Sequence, residues 1–148
     1  MPVGPIVRLQ SEHLKQLENL LSSNGLPADD CAEQRDIFFG IFDDDELIAG
    51  GGLEAAGDYS LLRSIVVKPS FRGRGLARAI SEYLLEQARS QGRLAAYLLT
   101  ESAEKYFEDL GFVRIGRSQV PQAITLTRQF SSLCPDSASC LMTTLSSN

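Results

Sequence analysis

An α+β fold, with one parallel pair of strands inside a mostly antiparallel sheet, is the class that this 148-residue sequence predicts. Three observations predict it. The first half reads as strands in a meander with short turns between them. The second half alternates strand, helix and strand. The crossover there is long enough to bring the chain back in the same direction, which a parallel pair requires. The length is that of about one domain, so residues 1–148 are taken as a single unit with a core that needs no disulfide or metal.

Each element has its own signal. "PIVRL" reads as a short first strand. Ser11 is placed to cap a helix whose Leu14, Leu17, Leu20 and Leu21 share one face, and Asn24-Gly25 stops it. "GLPADDCAEQRD" reads as loop or a short second helix. The meander follows: "IFFGIF", the turn "DDDE", "LIAGGGLE", the turn "AAGD" and "YSLLRSIVV". A helix from about Arg74 to Gln91 carries Leu76, Ile80, Tyr83, Leu84 and Ala88 on one side. "LAAYLLT" is a continuous apolar strand, and "SAEKYFEDL" is a helix closed by Gly111. "FVRIG" reads as a further strand, Ser118 as the cap of a helix to about Phe130, and "CLMTTL" as the strand that closes the sheet.

Composition narrows the function classes. With 43% hydrophobic and 22% charged residues the chain reads as an ordinary soluble globular protein. No apolar run approaches the roughly 18 residues of a membrane span, and the Met-Pro start is not followed by a basic and then an apolar segment. A cytoplasmic location and no membrane partner are expected. Cys31, Cys134 and Cys140 are odd in number and form no C-x-x-C pair, so a disulfide framework is not expected. They are read as buried small hydrophobes rather than a soft-metal or arsenite site, and no metal is expected. His13, the one histidine, is placed on the surface of the first helix. A net charge of −5 argues against nucleic acid as a partner, so any anion site must be local.

The stretch "VVKPSFRGRGLARAI", Val66 to Ile80, supplies such a site. It joins the end of a strand to the start of a helix. Glycines there let the backbone turn tightly and approach a ligand closely, and the amides at the helix start point beyond it. The helix dipole adds to this, and Arg72, Arg74 and Arg78 supply charge, so a phosphate or pyrophosphate is the natural guest. Two other phosphate loops are excluded. There is no G-x-x-x-x-G-K-[ST], and the loop does not open an N-terminal βαβ unit as G-x-G-x-x-G.

"RGRGLA", Arg72 to Ala77, resembles the R/Q-x-x-G-x-G/A signature of the GNAT superfamily of N-acetyltransferases, preceded by its hydrophobic strand and "V-x-P". "AEKYFEDLGF", Ala103 to Phe112, resembles that superfamily's next helix with its Leu-Gly-Phe ending. Within it, "GLE", "LLRSIVV", "AYLLTESAEKYFEDLGF" and "VPQAITLTRQFSSLCPDSA" are similar to the arsenic-resistance N-acetyltransferases, a branch related to amino-acid acetyltransferases. The resemblance implies a GNAT fold with helices on both faces of the sheet. It implies acetyl-CoA as acyl donor, its pyrophosphate on the amides of Arg72, Gly73, Arg74, Gly75, Leu76 and Ala77. Its pantetheine arm then pairs like a short strand with Ile65, Val66 and Val67, and the thioester points between two splayed strands. Thr100 and Phe107 fall where the superfamily has cofactor contacts, and Thr100 reads equally well as a helix cap.

The catalytic base must come from outside the motif. Glu54 ends a strand behind three glycines, which would give a ligand close approach; it reads as base, as substrate ligand, or as a solvated turn residue. Arg63 is the single charge in "YSLLRSIVV", and alternation puts it on the face of Leu61 and Ile65. It reads as a bidentate grip on a substrate carboxylate or as an edge charge reaching solvent. The superfamily's tyrosine, which protonates the leaving thiolate, falls here on Phe107. Tyr106 is adjacent but about 100° around a helix, so a specific general acid is in question. The segment Gln119 to Phe130 is read as a wall of the acceptor pocket or a dimer contact, which leaves monomer and homodimer both open. The expected reaction is acetyl transfer to the primary amine of a small molecule with a carboxylate, an amino acid or an analogue, arsenical or phosphinic ones included. A catalytically silent acyl-CoA-binding or regulatory module is the alternative.

Overall fold

A computed structural model describes residues 4–29, 31, 34, 37–133 and 138–145. Seven strands, β1 (Val7–Arg8), β2 (Phe38–Asp43), β3 (Glu46–Ala56), β4 (Tyr59–Val67), β5 (Ala95–Thr100), β6 (Val113–Ile115) and β7 (Ser139–Thr144), are hydrogen-bonded in the order β1-β2-β3-β4-β5-β7-β6. The helices are α1 (Leu14–Ser23), α2 (Leu76–Ser90), α3 (Glu104–Asp109) and the single turn α4 (Gln122–Thr125). The parallel pair is β4 with β5, in register from Tyr59↔Ala95 to Leu61↔Tyr97. Thus the α+β class, the mixed sheet and the one parallel pair stand as the sequence predicts.

The chain forms two compact units, one up to Gly52 together with Ser64–Leu84, the other Leu53–Arg63 together with the residues after Leu84. In the first, Leu14, Leu17, Leu20 and Leu21 of α1 pack with Phe38, Leu47 and Val66, so the heptad-like spacing read from the sequence is the buried face. Asn24 and Gly25 do end α1. Gly25 takes φ +73° and donates its N–H to Ser22 O at 3.1 Å, closing the last turn as a left-handed cap does. The start differs from expectation. Ser11 is the first residue of a short 3₁₀ turn, and the Gln10 N–H donates to Nδ1 of His13 at 3.0 Å, so the histidine does the capping instead. Among the described residues of 25–36 there is no helix, only successive turns such as Gln34 N–H to Cys31 O.

The second unit has its own core of Leu61, Ala95, Tyr97, Val120, Ile124 and Cys140. The helix expected from Ser118 to Phe130 is broken into a 3₁₀ turn at Arg117–Gln119, α4, and a wide turn at Gln129–Leu133. Pro121 is the reason. It forces Val120 into an extended conformation (φ −81°, ψ 133°), and only after it does the chain coil. Cys31 packs in the first core and Cys140 in the second, as small hydrophobes do. Cys134 lies outside the described residues.

The glycines before Glu54 do not all serve a ligand. A Cβ on Gly50 would lie 2.9 Å from Leu17 Cδ1, and one on Gly51 would lie 2.8 Å from Ile80 Cγ2 and 3.2 Å from Leu84 Cδ1. These two glycines let α1 and α2 close onto the sheet. Gly51→Val is therefore expected to lower unfolding free energy by about 1–3 kcal/mol through overpacking, as read by urea titration. A second expectation concerns Cys140, whose thiol burial pushes from 9.0 up to about 11, against the opposing pull of Arg117. Its thiolate fraction at pH 8 is then lower by on the order of a hundredfold, so iodoacetamide should spare it until denaturant is added, as read by peptide mapping. The unfolded chain ionises first, so this thiol's contribution to stability is present below pH 9 and is lost as pH rises from 9.0 to about 11.

Candidate functional site

The basic loop sits where the sequence puts it, between β4 and α2. After Val67 the chain makes a 3₁₀ turn over Pro69–Phe71, held by Phe71 N–H to Lys68 O at 2.8 Å. Gly73 and Gly75 then both take φ +79°, a conformation that costs an L-residue roughly 1–2 kcal/mol. Space is not the constraint. Nothing lies within 4 Å of where a Cβ would stand on either glycine, so the loop is open on that side. α2 begins at once with Leu76, and its first turn contains no acidic residue. The amides of that turn have no carbonyl one turn back to accept them. Together with the dipole of a 15-residue helix they make a positive end with no acid in its first turn, the kind of end at which anions are bound.

The three arginines are held by neighbours rather than crowded over the loop. Arg72 donates through Nη2 to Asn24 Oδ1 at 2.6 Å, Arg74 stacks 4.8 Å above the Phe71 ring, and Arg78 pairs with Glu82 at 3.5 Å. All three are exposed, so their charge adds to the field of the helix end without blocking it. Just upstream, Val66 is buried in the core while Ile65 and Val67 are half-buried.

Glu54 and Arg63 form one unit of structure. Arg63 Nη1 donates to Glu54 Oε1 at 3.1 Å; the arginine side chain is 0% exposed and the glutamate 12%. Neither the solvated-turn reading of Glu54 nor the solvent-reaching reading of Arg63 describes this arrangement. Arg63 keeps the alternation with Leu61, but not with Ile65. Ser64 has φ 59°, a left-handed kink in mid-strand that breaks the alternation between Leu61 and Ile65. Sequence reasoning missed Ser64, since the one hint was a polar residue inside an apolar run.

Thr100 ends β5, and its Oγ1 accepts the Ala103 N–H at 3.0 Å, so it acts as the cap of the turn that enters α3. Its hydroxyl proton remains to donate elsewhere. In α3, Phe107 is 7% exposed and stands edge-on to Phe112 at 5.9 Å, whereas Tyr106 is 40% exposed. The helix phase read from the sequence therefore holds. Gly111 takes φ +105° and lets Phe112 N–H return to Phe107 O at 3.1 Å, which makes Leu-Gly-Phe a helix-closing turn. Sequence reasoning also missed a cavity of about 430 Å³ lined by Arg114, Gly116, Arg117, Ser139 and Cys140. Arg117, on its lining, stacks on Phe130 at 5.0 Å and donates through Nη2 to Ala138 O at 2.8 Å.

Among the described residues there is no group of three or more metal-ligating side chains, and no helix is long and apolar enough to cross a membrane.

Comparison with known proteins agrees with this geometry. Residues 8–112 match the model of the acetyltransferase (GNAT) family. Among solved structures, the chain is similar to N-acetylglutamate synthase from Neisseria gonorrhoeae in complex with coenzyme A and N-acetyl-glutamate. The TM-score is 0.84 at 15% identity, over 99% of this chain and 36% of that one. It is also similar to Rv2747 from Mycobacterium tuberculosis in complex with CoA, with TM-score 0.79 and 18% identity over 96% and 99% of the two chains. A third is the ribosomal-protein-S18-alanine N-acetyltransferase from Escherichia coli, with TM-score 0.70 and 19% identity over 95% and 92%. These likenesses establish the fold, and the family match, which takes in β4, the glycine loop, α2 and α3, establishes the kinship: this chain belongs to the acetyltransferase (GNAT) family.

Proposed function

We propose that the protein transfers an acetyl group from acetyl-CoA to the primary amine of a small molecule that carries a carboxylate, an amino acid or an amino-acid analogue. The observation that carries the acceptor half is the wholly buried Arg63, a planar, permanently charged donor set in an apolar strand. Its partner within the chain is the carboxylate of Glu54, so the position is already built to bind a carboxylate, and an acceptor's carboxylate is a group of the same charge and shape. N-acetylglutamate synthase, which is similar in fold, is complexed with an acetylated amino acid, and this supports the same reading. The resemblance to arsenic-resistance acetyltransferases extends the acceptor class to arsenical and phosphinic analogues.

The donor's pyrophosphate rests on the amides of Arg72 to Ala77, its pantetheine arm pairs with Ile65, Val66 and Val67, and Thr100 and Phe107 line its path. Acetyl-CoA supplies the activated thioester. The acceptor nitrogen must be neutral to attack it. As the nitrogen–carbon bond forms and the carbon–sulfur bond breaks, the nitrogen's excess proton passes to Glu54 directly or through one water. The leaving thiolate, a modest base whose thiol has a reference pKa of about 8.5, takes a proton from water because Phe107 offers no donor, and the hydroxide so formed recovers the proton held by Glu54. No covalent enzyme intermediate is required, so both substrates are present together.

A screen of amino acids, their decarboxylated amines and their arsenical and phosphinic analogues for CoA release tests the acceptor class. Turnover confined to carboxylate-bearing amines is expected; equal turnover of the decarboxylated amines would remove the reading. Gly75→Asp should weaken acetyl-CoA binding by well over tenfold in calorimetry, because it places a side chain and a negative charge against the pyrophosphate. Tyr106→Phe should leave kcat within about threefold. A large, purely kcat defect would show that the proton donor has moved one residue along α3.

A further inference from the structure

Glu54 occupies the guanidinium that the acceptor's carboxylate would use. We infer that the Glu54–Arg63 ion pair is a latch: a carboxylate-bearing acceptor takes Arg63 in exchange for Glu54, and Glu54 is freed to act as base only when such an acceptor is bound. This rests on the acceptor reading above and adds to it an order of events and a source of selectivity.

The argument begins with access. Arg63 has no solvent-exposed side-chain surface, so no ligand can reach its N–H groups while the surrounding side chains stay in place. Glu54 is the exposed half of the pair, at 12%, and it ends at the guanidinium through Oε1, 3.1 Å from Nη1. An incoming carboxylate has the charge and planar geometry of the group already there. It can replace Glu54 at Nη1, one carboxylate for another, whereas loss of Glu54 with no such replacement removes the carboxylate from a buried charge. A neutral or cationic amine has nothing to offer Arg63, so it leaves the latch shut. Selection then falls on catalysis as well as binding, because the base stays engaged when the wrong acceptor enters.

The latch also lowers apparent affinity. Binding competes with the internal carboxylate, and the observed dissociation constant is the intrinsic one divided by the fraction of molecules with the latch open. Weakening Glu54's hold on Arg63 must therefore tighten binding of a carboxylate ligand, the reverse of what losing a ligand-contacting residue does.

The test uses the CoA-loaded protein and N-acetylglycine, the smallest acetylated amino acid, with binding measured by calorimetry. Three proteins are compared with the parent: Glu54→Gln, Arg63→Gln, and the double substitution Glu54→Gln/Arg63→Gln. The double substitution replaces the ion pair by two amides and controls for folding, checked by circular dichroism and thermal unfolding. The latch predicts that Glu54→Gln binds N-acetylglycine about tenfold more tightly than the parent while both proteins lacking Arg63 lose binding. Equal or weaker binding by Glu54→Gln, with binding still lost on removal of Arg63, overturns the latch and leaves the acceptor reading standing. Binding that survives in the folded double substitution, or that is absent from parent and Glu54→Gln alike, overturns both.

Discussion

A buried guanidinium has to be met by a carboxylate, and this requirement organises the middle of β4 and the strand beside it. Arg63 is enclosed on all sides, and removing its partner from a site of this kind costs about 3–5 kcal/mol. A hydrophobic pair of similar volume would serve stability at least as well. A charged pair joining two strands, β3 and β4, therefore asks for a reason other than stability. The strand around it is arranged accordingly: Leu61 anchors it in one core, Val66 in another, and Ser64 bends the backbone between them at φ 59°. Backbone strain of this sort persists only where the surroundings over-determine it. In β4 the parallel register with β5 fixes one end, and the bond from Lys68 N–H to Ile48 O, 2.7 Å long, fixes the other.

The glycine loop before α2 is built differently. Its two left-handed glycines, its open flank and the absence of acid in the first turn of α2 are all properties of backbone and composition, not of any particular side-chain contact. Recognition of a pyrophosphate by amides and a helix dipole needs no more than this. The arginines can accordingly be engaged elsewhere, with Asn24, Phe71 and Glu82, and still lend their charge.

That difference explains what could be read from the sequence. The loop, the α1 and α2 faces, the parallel pair and the Phe107/Tyr106 phase are local facts. Spacing and glycine placement encode them directly, and the structure shows them where expected. The pairing of Glu54 with Arg63 was not legible, although each residue stood out alone, because it depends on how two strands meet. Ser64 was hidden for a similar reason, since serine has no strong preference for positive φ and its conformation is imposed by tertiary packing. The glycines before Glu54 were misread because close approach of a helix and close approach of a ligand leave the same mark in a sequence. Ser11 and Pro121 were misjudged local signals. Pro121 stands inside the expected helix and should have divided it.

The margins of the sheet carry one more consequence. The strand order ends in β1 on one side and β6 on the other, and these are two and three residues long. The outermost strands are thus the shortest ones, and β6 sets the charged Arg114 in its edge, loosely tied to Glu104 at 3.6 Å. Edge-to-edge pairing needs a run of free donors and acceptors longer than this. The two longest strands, β3 and β4, lie inside the strand order rather than at its margins, so the edge that a second copy would meet first is a two- or three-residue one.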